Sequence, residues 1–257
     1  MSNFNLAKLF VFLGPLIFFA GTEYVLFNPR HFLNVFYLIT LITVILLLGV
    51  IKPNLRQKEK IKYFILPFLY IISLASFVVL LKNNLTAHVF SFIASSIYGW
   101  LLWVIASLMA ARDGKTKQFY GRFYDVFIIC TFLLFCSALL SLQTYLDLAP
   151  WIILLLLFII SALLFYQRLW FYDIMKREWW VEIVAFGFLM TQIAWATLFW
   201  PIANLPVAFF LLVVFYSLAN VWSLALTHTL TAKSLKKVLW LSALVVVVVL
   251  ASTRWIL

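Results

Sequence analysis

Nine long apolar stretches make up most of this 257-residue chain and limit what it can fold into. Each stretch is close to the ~20 residues that a helix needs to cross a hydrocarbon core of about 30 Å. Only 11% of the residues are charged, whereas about a quarter are charged in a typical soluble domain. We therefore predict an all-α bundle of nine transmembrane spans, which forms a single membrane domain over residues 1–257. The spans run approximately over residues 9–27, 32–51, 63–81, 89–111, 123–142, 149–170, 179–199, 204–226 and 238–257.

The apolar stretches are continuous, as in LITLITVILLLGVI at residues 38–51. Strands of a membrane barrel instead alternate apolar and polar residues over about ten positions. A helix also pairs its own backbone amides, each of which costs several kcal/mol when left unpaired in lipid. The stretches therefore predict helices, and the short connections between them leave no room for a soluble domain.

The basic residues are concentrated in alternate connections, as in KPNLRQKEKIK at residues 52–62, which holds five of them. The other basic residues on that side are Lys8, Arg112, Lys115, Lys117, Arg122, Arg168, Lys176, Arg177, Lys233, Lys236 and Lys237. The opposite side holds Arg30, Lys82 and Arg254, so the division of the 19 Lys and Arg is 16 to 3. Because cytoplasmic loops carry the excess of Lys and Arg, we predict that the N-terminus is inside and the C-terminus outside.

This distribution also accounts for most of the net charge of +11, so we predict no nucleic-acid partner. Basic residues near a membrane attract anionic headgroups by about 1 kcal/mol each. Two interpretations stay open: the basic residues only set the topology, or they also bind membrane lipids or a protein partner at the cytoplasmic face.

Common catalytic and redox motifs are missing: the sequence contains no HExxH, GxSxG, GxxxxGK[ST] or CxxC. Cys130 and Cys136 lie six residues apart on span 5, on different faces of the helix, and cannot bridge each other. His31 and His88 begin spans 2 and 4 on the predicted outer side. They are either solvent-exposed loop residues or ligands of a shared metal or haem. We predict no cofactor and no metal site.

Asp125 and Arg168 are ionisable residues near the predicted inner ends of spans 5 and 6. Such residues inside a span are costly and raise a functional hypothesis by default. Because the two spans are antiparallel neighbours in sequence, we predict a structural ion pair between the two side chains. The alternatives are a gating role and an Arg168 side chain that extends to the headgroups.

Span 7 carries polar residues on one helical face. At about 100° per residue this face includes Glu182, Ala185, Leu189, Gln192 and Ala196. We predict that it turns inward, toward Asn220 of span 8, which lies at a similar depth to Glu182. Glu182, Gln192 and Asn220 then form a candidate polar intramembrane site, which serves either interhelical hydrogen bonding or a path for a polar substrate or ion.

Span 1 combines Gly14-Pro15 with Glu23, and proline inside a helix disrupts the local turn. Interrupted helices beside an ionisable group build the sites of many transporters, so Glu23 joins the candidate polar site. In the alternative interpretation the proline makes a packing kink, and Glu23 lies at the outer headgroups, neutralised by Arg30 or His31.

The stretch TQIAWATLFWPIANLPVAFFLLVVFYSLANVW, residues 191–222, resembles a pattern in small uncharacterised bacterial polytopic membrane proteins. In that pattern a Trp-rich span, a proline near its end and a following apolar span with a central Tyr recur. Here these are Trp195, Pro206 and Tyr216. The resemblance covers about an eighth of the chain and implies a bacterial membrane origin, with nothing about mechanism.

No catalytic residues can be assigned from the sequence. The sequence therefore favours a non-enzymatic integral membrane protein, either transporter-like or an assembly or sensory subunit, and leaves open whether the protein is an enzyme. The alternative is a membrane-embedded enzyme that acts on a lipid or a lipid-linked substrate.

Overall fold

The computed structural model describes residues 2–50, 57–78, 81, 84–110, 114–172 and 179–252. These residues form α-helices joined by short connections, and no β-strand occurs among them. The helices are α1 (Ser2–Phe27), α2 (Phe32–Val50), α3 (Gln57–Val78), α4 (Asn84–Ala110), α5 (Gly114–Leu146), α6 (Pro150–Phe171), α7 (Trp180–Thr197), α8 (Asn204–Leu226) and α9 (Ala232–Ser252). The predicted all-α fold is confirmed for the described part of the chain.

Six segments of these helices are long and apolar enough to cross a membrane, judged by length and composition. They are Leu9–Phe27, Leu85–Met109, Phe119–Leu146, Pro150–Phe171, Trp180–Thr197 and Asn204–Leu226. Two further apolar segments, Tyr37–Leu48 and Lys62–Val78, are shorter. The helices therefore indicate a multi-pass membrane protein, while the full count of nine spans stays a prediction.

The chain divides into two compact units, Met1–Thr131 and Phe132–Leu257. Helices α1 to α4 and the first part of α5 belong to the first unit, and the rest of α5 with α6 to α9 belongs to the second. The single membrane domain predicted for residues 1–257 stays a prediction.

In the first unit, α1 packs against α4 in the antiparallel direction. Gly99 of α4 faces Pro15 of α1 so closely that a Cβ at position 99 would overlap the proline ring. Pro15 lies inside α1, which continues from Ser2 to Phe27. Of the two interpretations of Gly14-Pro15, an interrupted helix does not agree with α1, which is continuous through the proline. Proline is tolerated in a membrane helix where neighbouring helices compensate for the lost hydrogen bond, and here the ring fills the space over a glycine.

In the second unit, aromatic rings set how the helices meet. The rings of Phe165 on α6 and Phe186 on α7 stack with centroids 4.1 Å apart. Phe215 on α8 stacks on Phe132 of α5 at 4.3 Å and meets Phe186 edge-on. Gly187 lets α6 approach, because a Cβ there would lie 3.1 Å from the Phe158 ring. This aromatic core fixes the rotation of α7 about its own axis.

The start of α9 is defined by two side chains that cap each other's backbone. The backbone amide of Ser234 donates to Thr231 Oγ1 at 3.2 Å, and that of Thr231 donates to Ser234 Oγ at 3.0 Å. Such a reciprocal box satisfies backbone amides that the first helical turn leaves without partners. The capped turn places the exposed Lys233, Lys236 and Lys237 at one end of α9.

Much of the predicted charge asymmetry falls outside the described residues. These positions include residues 51–56, 111–113, 173–178 and 253–257, together with Lys82. They hold a large share of the basic residues on which the predicted orientation rests. The orientation therefore stays a prediction.

Candidate functional site

One group of polar side chains joins α1 to α4, and we call it the Glu23 cluster: Thr22, Glu23, His88 and Ser91. His88 Nδ1 lies 2.6 Å from Glu23 Oε2, and Thr22 Oγ1 lies 2.5 Å from Ser91 Oγ. Glu23 is close to the end of α1 and His88 is close to the start of α4. The antiparallel packing of these helices therefore brings both side chains to the same level.

The donor in the Glu23–His88 contact depends on the tautomer of the imidazole. With the carboxylate ionised and a proton on His88 Nδ1, the imidazole N–H donates to Glu23 Oε2. The side chains of Glu23 and His88 are 19% and 33% exposed. Glu23 Oε1 is buried and has no hydrogen-bond partner within the described residues. The cluster thus links two helices and leaves one carboxylate oxygen able to accept another donor.

One of the two interpretations of the sequence placed Arg30 or His31 beside Glu23, and the structure instead gives His88. Arg30 is exposed, and the ring of His31 lies 6.4 Å from the ring of Tyr24. The signal that identifies His88 was present in the sequence. His88 begins the fourth predicted span and Glu23 nears the end of the first, so both fall at the same predicted depth.

A second group lies between α6 and α8, and we call it the Arg168 cluster: Arg168, Tyr216 and Asn220. Arg168 is only 7% exposed. Its Nη2 donates to Asn220 Oδ1 at 2.7 Å, and its Cζ lies 5.8 Å from the centroid of the Tyr216 ring. Asn220 Nδ2 in turn donates to the Tyr216 carbonyl at 2.8 Å. Asn220 thus holds the guanidinium while its own amide is fixed by the α8 backbone.

Asp125, the predicted ion-pair partner of Arg168, is half-buried on the part of α5 that belongs to the first unit. Arg168 belongs to the second unit. The Asp125–Arg168 ion pair therefore stays a prediction.

A third contact joins α7 to α8, where Trp222 Nε1 donates to Glu182 Oε2 at 2.7 Å. Trp222 follows Asn220 by two residues on α8, which is about 3 Å along a helix axis. Trp222, which contacts Glu182, and Asn220, which contacts Arg168, therefore lie at nearly the same level of the second unit. Trp222 was missed from the sequence, although a buried indole N–H usually finds an acceptor.

The prediction that Gln192 turns inward with Glu182 is wrong, because Gln192 and Ala196 are exposed. The buried residues of α7 are Ile183, Phe186, Gly187, Met190, Ala194 and Thr197. The stacking of Phe186 on Phe165 determines which side of α7 faces α6. Burying these large rings outweighs turning one amide inward, since an aromatic side chain buries about 150–250 Å².

The described residues contain no group of three or more His, Cys, Asp or Glu side chains arranged to hold a metal ion. Cys130 and Cys136 are both free thiols, the first half-buried and the second buried. The polar groups described here thus contribute hydrogen bonds between helices, and one available carboxylate oxygen at Glu23.

Comparison with known proteins gives one family. A family model described as a protein of unknown function, DUF5656, matches residues 16–256. No curated protein and no solved structure matches the chain. Because the match covers nearly the whole sequence, this chain belongs to the DUF5656 family.

Proposed function

We propose that this chain is a nine-span protein of the bacterial cytoplasmic membrane, with its N-terminus inside and its C-terminus outside. Support comes from the 16-to-3 division of the basic residues between alternate connections. The antiparallel packing of α1 on α4 agrees with this topology, because spans 1 and 4 would cross in opposite directions. The bacterial origin rests on the resemblance of residues 191–222.

We infer that the protein is a membrane assembly or sensory subunit rather than an enzyme. The observation that carries this inference is that three ionisable residues inside helices each contact a polar group on another helix. These residues are Glu23, Arg168 and Glu182. Hydrogen bonds between membrane helices contribute on average about 0.6 kcal/mol and at most about 1.7 kcal/mol each. Ionisable groups engaged in such contacts suit a structural bundle, which needs no further chemistry.

A transporter-like protein is the second candidate, and one observation favours it. Glu23 Oε1 is buried without a hydrogen-bond partner in the described part of the chain. A carboxylate that takes up and releases a proton inside a cavity is what proton-coupled transport requires. In this version Glu23 is the carboxylate that takes up and releases the proton.

Anionic membrane lipids are the proposed partners at the cytoplasmic face. Lys233, Lys236 and Lys237 are exposed at the start of α9, and Trp240 follows within one turn with 67% of its surface exposed. A cluster of lysines beside an exposed indole is typical of the level at which lipid headgroups lie. No protein partner is proposed from these residues.

Labelling of a cysteine at position 23 tests the structural proposal against the transport proposal. Glu23→Cys is made in a chain in which Cys130 and Cys136 are replaced by alanine. The protein is reconstituted in vesicles and treated with a membrane-impermeant maleimide from each side in turn. Tyr24→Cys, at a neighbouring position that is 49% exposed, is the matched control.

The structural proposal predicts slower labelling at position 23 than at position 24, and only from the outer side. Labelling of position 23 from the cytoplasmic side would contradict the structural proposal, because it requires a water-filled path through the bundle. That result would favour the transport proposal, and Glu23→Gln should then abolish proton-coupled uptake without unfolding the protein.

A further inference from the structure

The exposed side of α7 carries a polar residue at membrane depth. Gln192 is exposed and lies three residues past position 189, the midpoint of the predicted span 179–199. At 1.5 Å per residue this is only about 4.5 Å from the membrane centre. An amide that faces lipid has no water to bond, and burial of an unbonded amide costs roughly 2–7 kcal/mol. The position therefore calls for a polar partner at the same depth.

Gln192 is part of a regular stripe along α7, which we call the Gln192 stripe: Val181, Ala185, Phe188, Gln192 and Trp195. The steps between successive members alternate between four and three residues, the spacing by which one helix packs along another. Val181, Phe188 and Trp195 are 74%, 59% and 56% exposed.

The stripe points away from the neighbours that α7 already has. Met190, which is 2% exposed, lies two residues before Gln192, and two residues turn a helix by about 200°. The buried side of α7 packs on α6 through Phe186 and Gly187. The Gln192 stripe therefore lies on the opposite side of α7 from this packed face.

The stripe also has a surface shape that suits a facing helix. A shallow apolar depression lies around Ala185 and is lined by Trp180, Val181, Val184 and Phe188. Small residues between larger ones let membrane helices approach closely, because a side chain of the facing helix can enter the gap. The depression lies about two turns from Gln192, so one packed helix would cover both.

We propose that α7 is a homodimer interface, in which Gln192 of one copy hydrogen-bonds Gln192 of a second copy. A glutamine amide has both donors and an acceptor, so it is complementary to itself. All copies cross the membrane in the same orientation, because the same basic residues orient each of them. A two-fold axis along the membrane normal then places the two Gln192 side chains at one depth. This interface rests on the proposed membrane topology, and it does not depend on whether the protein is an assembly subunit or a transporter.

Disulfide cross-linking across the stripe tests the dimer while leaving Gln192 intact. Phe188→Cys is made in the chain in which Cys130 and Cys136 are alanine, and the protein is oxidised in lipid vesicles at low protein density. Leu244→Cys on α9 is the matched control, because Leu244 is 57% exposed and lies on another helix. We expect covalent dimers of the Phe188→Cys protein and far fewer of the Leu244→Cys protein.

Gln192→Leu in the Phe188→Cys chain then separates the contribution of the hydrogen bond between the two Gln192 side chains from the contribution of apolar packing. Loss of one interhelical polar contact should lower the dimer association constant about 3- to 20-fold, the range that such contacts give in membranes. Single-molecule photobleaching of the otherwise unchanged chain gives an independent count of copies, with two expected. Equal cross-linking at positions 188 and 244, an association constant unchanged by Gln192→Leu, or single copies in the photobleaching count would each overturn the proposal.

Discussion

The contact between Glu23 and His88 gives the most direct prediction about the polar groups of the first unit. Glu23→Gln, His88→Gln and the double variant form a double-mutant cycle. Each single change puts a neutral amide in place of one partner. The structure predicts that the two changes are not additive, since either one alone already replaces the 2.6 Å carboxyl–imidazole contact with a weaker amide contact.

The size of the coupling follows from burial. Solvent-exposed ion pairs contribute roughly 0 to 1 kcal/mol, whereas hydrogen bonds between membrane helices reach about 1.7 kcal/mol. The Glu23 side chain is 19% exposed and the His88 side chain is 33% exposed, so the pair is neither fully solvent-exposed nor fully buried. We expect a coupling free energy of about 1 kcal/mol, near the middle of these ranges.

Reversible unfolding in lipid–detergent mixtures at pH 7 measures the four free energies of unfolding. The matched control is the cycle between Glu23→Gln and Arg30→Gln, because Arg30 is one of the two partners considered from the sequence and is exposed in the structure. That cycle should be additive within about 0.3–0.5 kcal/mol. Additivity for His88 together with coupling for Arg30 would refute the reasoning and restore the interpretation from sequence.

Two further predictions concern packing and charge. Gly99→Leu places a side chain where Pro15 lies and should destabilise the protein by about 1–3 kcal/mol in the same unfolding assay. Ser96→Leu, one turn earlier on the exposed side of α4, should change stability by less than about 0.5 kcal/mol, and equal effects at both positions would contradict the close approach. The ion pair predicted between Asp125 and Arg168 requires the double alanine variant to lose clearly less stability than the two single variants together. Strict additivity there would show that the two side chains do not meet.

The helices could be predicted from the sequence because hydropathy and length report directly on them. Span 8 was predicted at residues 204–226, and α8 has those bounds. Span 6 was predicted at 149–170, and α6 covers Pro150–Phe171, where a proline starts the helix at a position that needs no amide donor. These features depend on residues close in sequence.

The contacts between helices could not be predicted in the same way, because they depend on how each helix is rotated. The Phe165–Phe186 stack turns Gln192 outward, and this choice depends on Phe165, which lies on another helix. The close approach of Pro15 to Gly99 likewise joins positions far apart in the chain. The sequence left both an interrupted helix and a packing kink open at Pro15, because the glycine that Pro15 packs against lies on another helix.

Fusion of a reporter at defined connections tests the proposed membrane topology most directly. A reporter that is active only in the cytoplasm, and a second that is active only outside, are attached after residues 57, 85, 117, 146 and 234. We expect cytoplasmic signals after residues 57, 117 and 234, because basic residues concentrate in those connections. We expect external signals after residues 85 and 146. A cytoplasmic signal after residue 85 would contradict both the nine-span topology and its orientation by charge.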